Sequence, residues 1–275
     1  MKIFLSFLFS SIMFISCSKN ADTSSSGSGS GSGTGSGSGT GTGTGSGTAT
    51  SKKGIGLSEK NGFGSAQLQQ LNVSWYYNWG LTTTANSTVA FVPMEWGTGG
   101  MSSLGTYNYL LGFNEPDNAN QSNLAVTQAL GLWPTLVSAS ANLGSPSMAG
   151  NPVTSGSWLQ QFMQSSPKVD FITVHWYKGA DTTKFYTDMT DIYNLFKKPI
   201  WVTEFAPQTA AQSSANPTQY SQTQVDNFIK AVTTWMNNQS FIQRYAWHDS
   251  QAGTSAIFTT AGLLTATGQT YAAVK

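Results

Sequence analysis

Eight short apolar runs, spaced along the C-terminal four-fifths of the chain, constrain the fold more than any other feature. They are "GIGLS" (54–58), "VSWYYNW" (73–79), "TVAFVPMEW" (88–96), "NYLLGFNE" (108–115), "TLVSASA" (135–141), "DFITVHWY" (170–177), "PIWVTEF" (199–205) and "IQRYAWH" (242–248). Runs that are apolar throughout suit parallel strands covered on both faces. Helical patterns lie between several of them, at 123–133, at 155–164 with Ser157 as N-cap, and at 223–237. In the last, Val225, Phe228, Ile229, Val232, Trp235 and Met236 make one stripe. Connections such as 97–107 are too rich in glycine for long helices. Alternation of this kind predicts an α/β fold, a compact (β/α)8 TIM barrel with some short or poorly formed helices. The alternative is a doubly wound open sheet. No Gly-x-Gly-x-x-Gly stretch opens a helix after the first strand, which argues against its dinucleotide-binding form.

The remaining residues do not look like part of that body. In 1–16, Lys2 precedes an apolar stretch of about a dozen residues, too short to span a bilayer as a helix. Followed by Cys17, "FISC" looks like a lipobox, with Phe14 where leucine is usual, and predicts a lipidated Cys17 after a cleaved signal peptide. Cys17 is the single cysteine, so no internal disulfide and no cysteine-based metal site can form. Residues 17–53 continue as a Gly/Ser/Thr-rich tether, a composition that behaves as flexible coil with a root-mean-square reach of roughly 30–40 Å. The folded domain is expected over 54–275. The location expected is the bacterial cell envelope, lipid-anchored at the outer membrane or cell surface, with the membrane met through the anchor only.

Within 54–275 there are nine Lys or Arg and eleven Asp or Glu, and the single arginine is Arg244. Nucleic acids and strongly anionic polymers require clustered basic side chains, and none exist here. Nine tryptophans and ten tyrosines instead suit a neutral, hydroxyl-rich ligand whose CH faces stack on rings. A large aromatic core would give the same counts.

The four glutamates of this part, Glu59, Glu95, Glu115 and Glu204, each fall at or just past the end of an expected strand, as do both histidines, His175 and His248. In a parallel barrel those ends share one face, where active sites are built. Glu115 in "GFNEPD" and Glu204 in "WVTEFAP" can act as a pair on a glycosidic bond, one carboxyl giving a proton to the leaving oxygen and the other, ionised, attacking the anomeric carbon. Desolvation and the neighbouring charge can hold the acid protonated near neutral pH. Pro116 is expected to hold Glu115 in extended backbone. Asp117 is an acidic alternative or a turn cap. The histidines lack His-x-x-x-His spacing, so no metal and no cofactor is expected.

Asn-Glu-Pro after the fourth strand and a glutamate after the seventh resemble clan A of the glycoside hydrolases. "LLGFNEPD", "WVTEFA", "VHWY", "WYYNWG" and the closing "GLLTATGQTYAAVK" are similar to glycoside hydrolase family 128, over roughly 54–275. The resemblance implies a (β/α)8 endo-β-1,3-glucanase acting with retention. It implies Glu115 as general acid/base, Glu204 as nucleophile, and Asn114 as the residue that hydrogen-bonds the sugar 2-hydroxyl. Tyr177 would orient Glu204, His175 would line the site or pack structurally, and Trp247 would be a platform under the sugar. Trp75, Tyr77 and Trp79 alternate along one strand, so that one of them, Tyr77 among the candidates, can reach the mouth while another stays in the core. Trp96 is a candidate platform. Glu95, where an apolar residue is expected, would bind a sugar hydroxyl, pair with a base or serve as a structural acceptor, and Glu59 would solvate a loop. The partner is then a β-glucan polysaccharide or oligosaccharide, met by a monomer. Alternatives are the same mechanism on a β-1,4-glucan, mannan or mixed-linkage glucan, or a surface protein that binds glycan without turnover.

Overall fold

All eight apolar runs contribute to a strand, though several strands are shorter than expected. The computed structural model describes residues 51–208, 220–249 and 252–275; the expected signal segment, Cys17 and most of the tether lie outside them. The strands are β1 (Lys53–Gly56), β2 (Trp75–Tyr77), β3 (Ala90–Phe91), β4 (Tyr107–Leu110), β5 (Ser140–Leu143), β6 (Ile172–Trp176), β7 (Ile200–Phe205) and β8 (Ile242–His248). The helices are α1 (Ser65–Leu71), α2 (Val126–Ala139), α3 (Trp158–Gln164), α4 (Thr182–Phe196), α5 (Gln222–Asn238) and α6 (Ala266–Ala272). Among the described residues no helix is long and apolar enough to cross a membrane.

Six strands form one parallel sheet in the order β3-β2-β1-β8-β7-β6, and β4 pairs with β5 in a second. Between the two sheets run isolated parallel bridges, Met94 to Leu111 on one side and Gly144 to Phe171 on the other. The structure thus shows an α/β fold on a parallel sheet of six strands, with isolated bridges where a barrel would carry full ladders.

Two expectations need correction. The run at 135–141 is not a strand over most of its length: α2 continues through Pro134 to Ala139, and β5 starts only at Ser140. Trp133 and Leu136, three residues apart and both buried, keep the helical face in the core past the proline. The folded body also begins before residue 54, since Lys53 opens β1 and is only 1 % exposed. Its Nζ donates to the carbonyls of Tyr271 (3.3 Å), Ala272 (3.0 Å) and Val274 (2.5 Å), capping the end of α6. Lys52 does the same for α5, donating to Met236, Asn237 and Gln239. Unpaired carbonyls at a helix C-terminus attract a cation.

Alternation along the strands sorts the core into two layers. Ile55, Tyr76, Val174, Trp176, Val202, Phe205, Tyr245 and Trp247 face the helices, where α5 supplies Val225, Phe228, Ile229, Val232 and Met236. The opposite, inner face holds Trp75, Tyr77, Val92, Met94, Phe171, Trp201 and Ala246. Room for these rings comes from β1: a Cβ on Gly54 would lie 2.3 Å from the Trp75 indole, and one on Gly56 3.1 Å from that of Trp79.

Candidate active site

The C-terminal ends of β2, β6, β7 and β8 bring Trp79, His175, Tyr177, Glu204 and His248 together on the inner face. β7 achieves this by breaking its own alternation. Trp201 faces inward and Val202 outward, and Phe205 faces outward again three residues later. The pairing of β7 slips against β6 beside His175 and against β8 between Val202 and Phe205. Such an irregularity re-aims a side chain, here turning Glu204 into the mouth beside Thr203.

Glu204 is buried, and four groups surround its carboxylate. Oε1 accepts from the Trp79 Nε1–H (2.8 Å) and the Tyr77 hydroxyl (3.1 Å), and Oε2 accepts from the Tyr177 hydroxyl (2.7 Å). His175 Nδ1 stands 3.6 Å from Oε2. Burial alone would raise its pKa, but the charges of His175 and His248 and the hydrogen bonds from Tyr177 and Trp79 outweigh it, leaving Glu204 below the ordinary glutamate value. Burial, together with Glu204 itself, pushes the hydroxyls of Tyr77 and Tyr177 well above the usual tyrosine range, so both remain donors.

Glu115 lies across from it, at the end of the β4 segment. Its Oε1 is 2.9 Å from His175 Nδ1 and its Oε2 accepts from Asn118 Nδ2 (3.2 Å). The extended backbone expected ahead of Pro116 is not adopted: Glu115 has φ 44°, in the left-handed region that side chains avoid. Its N–H donates to Ser147 and its carbonyl accepts from Asn118 N–H, a tight turn that overrides the preference. Trp79, with φ 62°, is also in this region. Backbone strain held in place by surrounding bonds is a frequent mark of functional sites.

His175 joins the pair. Burial lowers its pKa, but Glu204 and the hydrogen bond to Glu115 more than offset this, placing it above the ordinary histidine value. The donor atoms of Glu115, His175 and Glu204 lie within 4.8 Å of one another, a grouping that could hold a cation and that motif spacing did not reveal. These atoms are already engaged with Tyr77, Trp79, Tyr177, Asn118 and each other.

Asn114 is buried beside Glu115. Its Nδ2 donates to Gln121 and its Oδ1 has no protein partner. Trp96, 38 % exposed, shares this rim, its carbonyl accepting from the Asn114 N–H.

The structure corrects one expected site residue, Trp247, and favours one of the alternatives for another, Glu95. Trp247 is not a platform. It is fully buried on the helix side of β8, against Phe205 and Tyr271, with its Nε1–H on the Ser255 carbonyl. The alternation of β8 gives the mouth to its neighbour instead, and the His248 ring packs 4.8 Å from that of Trp79. Strand period from Arg244 would have found it. Glu95 is 2 % exposed and accepts from Gly100 N–H (3.0 Å), so it braces the 97–105 connection rather than presenting a carboxylate to ligand. Asp117 likewise holds the loop after β5, accepting from Ala149 and Gly150 N–H. Glu59 accepts from the side chains of Thr83 and Thr84 and the Thr84 N–H.

Residues 54–271 match the family described as glycosyl hydrolase catalytic core. The chain is 32 % identical to a family 128 (subgroup I) endo-β-1,3-glucanase from Amycolatopsis mediterranei, whose structure with laminaritriose it covers entirely, over 82 % of its own length and with a TM-score of 0.71. It is 28 % identical to a family 128 (subgroup VII) oligosaccharide-binding protein from Cryptococcus neoformans, covering 81 % of this chain and 93 % of that one, with a TM-score of 0.67. A curated relative, Alkali-sensitive linkage protein 1 of Schizosaccharomyces pombe, is 27 % identical over 186 residues, which are 64 % of this chain and 34 % of that protein, so the chain spans about a third of the relative's length. With the core matched from residue 54 to 271 and a related structure covered from end to end, the chain belongs to the glycosyl hydrolase catalytic-core family and to glycoside hydrolase family 128.

Proposed function

We propose that the chain is a retaining endo-β-1,3-glucanase in which Glu204 is the nucleophile and Glu115 the general acid/base. The observation that carries this is the pair of carboxylates within 4.8 Å at the sheet mouth, one held ionised by three donors and flanking histidines, the other freer. In the first step Glu204 attacks the anomeric carbon while Glu115 gives its proton to the leaving oxygen. In the second, Glu115 takes a proton from water, which displaces Glu204. Asn114, with its unmatched Oδ1, is the partner for a sugar hydroxyl, and Trp96 is the exposed ring for stacking. The glucan linkage comes from the Amycolatopsis relative and its bound laminaritriose.

The same proposal reads the two sheets as one closed (β/α)8 barrel, a reading supported by the isolated bridges on either side of β4 and β5. It takes 1–16 as a signal peptide, Cys17 as lipidated and the tract after it as a tether to the cell envelope, from the sequence pattern alone. The chain would act as a monomer, with neither metal nor cofactor, and its activity is expected to be undiminished in a chelator.

Glycan binding without turnover is the second reading, favoured by the oligosaccharide-binding Cryptococcus relative. Incubating the chain with soluble β-1,3-glucan, β-1,4-glucan and mannan and sizing the products separates the readings. Short products from β-1,3-glucan alone, abolished in Glu204→Gln, support the hydrolase. Binding with no product from any polymer favours the second reading.

A further inference from the structure

Far from the mouth, the inner face carries a charge that none of the described residues neutralises. Arg244, the one arginine, lies near the start of β8, level with Trp201 of β7. Its guanidinium carbon is 4.2 Å from the Trp201 ring centroid, 4.7 Å from that of Tyr109 and 5.5 Å from that of Trp75. Ring faces stabilise a cation, but they leave its in-plane donors unused. Nη1 is buried with no hydrogen-bond partner. Among the described residues no carboxylate forms an ion pair with it. Outside them the sequence holds a single acid, Asp22.

Beside the guanidinium opens a cavity of about 420 Å³. Phe91, Thr106, Tyr107, Tyr109 and Arg244 are among its lining, which contains no acidic side chain. Arginine stays charged in proteins, and Arg244 is partly buried with a buried, unpartnered Nη1, so its charge is only partly solvated and has no counter-ion among the described residues. Water can satisfy the donors but leaves the charge, and the space far exceeds the roughly 30 Å³ share of one water.

We propose that this cavity is an anion site in which Arg244 receives a small oxyanion, a carboxylate or phosphate, in the fork of its guanidinium. That fork matches two oxygens of either group. The site lies at the opposite end of the inner face from Glu115 and Glu204, and the proposal does not depend on the hydrolytic reading.

The test is thermal unfolding of the full chain in increasing phosphate or acetate, at fixed pH and ionic strength balanced with chloride. A saturable rise in Tm is expected, roughly 5–10 °C at a concentration a hundredfold above the dissociation constant. Arg244→Met should remove the response. Ala90 lines the same cavity and pairs with Trp75 in the sheet, so its side chain shares the face of Arg244. Ala90→Glu should therefore supply an internal carboxylate, raising Tm without oxyanion and abolishing the dependence. No dependence in the parent chain, or an equal rise in Arg244→Met, overturns the proposal. Should Arg244→Met not fold, an undiminished response in Ala90→Glu overturns it equally.

Discussion

Tyr177→Phe is the sharpest probe of how the site keeps Glu204, the proposed nucleophile, ionised. The substitution removes one hydroxyl and leaves the ring, whose edge-on packing against His248 at 6.2 Å holds its position. The bond lost is the 2.7 Å donation to Glu204 Oε2. A hydrogen bond to a charged group contributes about 1.5–3 kcal/mol, and 1.36 kcal/mol corresponds to one pKa unit. Losing the donor should therefore raise the Glu204 pKa. The sign follows from the state required: Glu204 must be ionised to attack, so the acid limb of kcat/KM moves to higher pH. Two carboxylates and an imidazole titrate together here, so the displacement between variant and parent is the quantity to read. Release of reducing sugar from β-1,3-glucan between pH 3 and 8 would measure it. Tyr77→Phe supplies an internal comparison. Its hydroxyl is shared between the Thr203 carbonyl (3.0 Å) and Glu204 (3.1 Å), and its removal should move the limb less. An acid limb in Tyr177→Phe that coincides with the parent's, at any level of activity, would refute this account of the nucleophile.

Other consequences are as testable. Trp247→Phe should leave KM unchanged, while Trp247→Ala should lose about 3–5 kcal/mol of stability by denaturant unfolding; a raised KM at unchanged stability would restore the platform role. Gly54→Ala forces a Cβ against the Trp75 ring, which its Nε1–H on the Lys52 carbonyl holds in place, and should lower stability by about 1–3 kcal/mol. Burial pushes Lys53 down to about 8 from 10.5. The unfolded chain then binds the extra proton between those values, so stability should rise with pH across that window, by at most roughly 3 kcal/mol. Lys53→Met should flatten that slope, and urea unfolding at pH 7.5, 9 and 10 would measure it.

Much of the candidate site was legible because polar groups at the mouth of a parallel sheet sit where apolar runs stop. Glu115, His175 and Glu204 were singled out that way, and the structure places His175 2.9 Å from Glu115 and 3.6 Å from Glu204. What failed was phase. A strand turns a side chain from mouth to core with a step of one residue, and on β8 that step separates His248 from Trp247. Glu204 reaches the mouth for a reason the sequence did not contain, since a regular β7 would have pointed it at the helices. The stretch 135–141 misled because small and β-branched residues suit a strand, whereas burial of Trp133 and Leu136 carried the helix on. The cap at Asp181 and the spacing of Phe185, Met189 and Ile192 were a readable signal for α4 that passed unused. The glycines of "GIGLS" were visible too, but only the rings opposite show why β1 can have no side chains on its inner face.

The lysines at the start of β1 also decide how the molecule can be handled. Lys52 and Lys53 tie the chain to the ends of α5 and α6 at the opposite end of the strand from His248, and the C-terminal residue lies there too, its carbonyl bound by Asn237. Both ends of the folded body therefore leave from the side away from the substrate. A resin, a reporter domain or a second enzyme joined ahead of residue 51 would leave the mouth open to a long polymer, which suits the protein to oriented immobilisation without redesign.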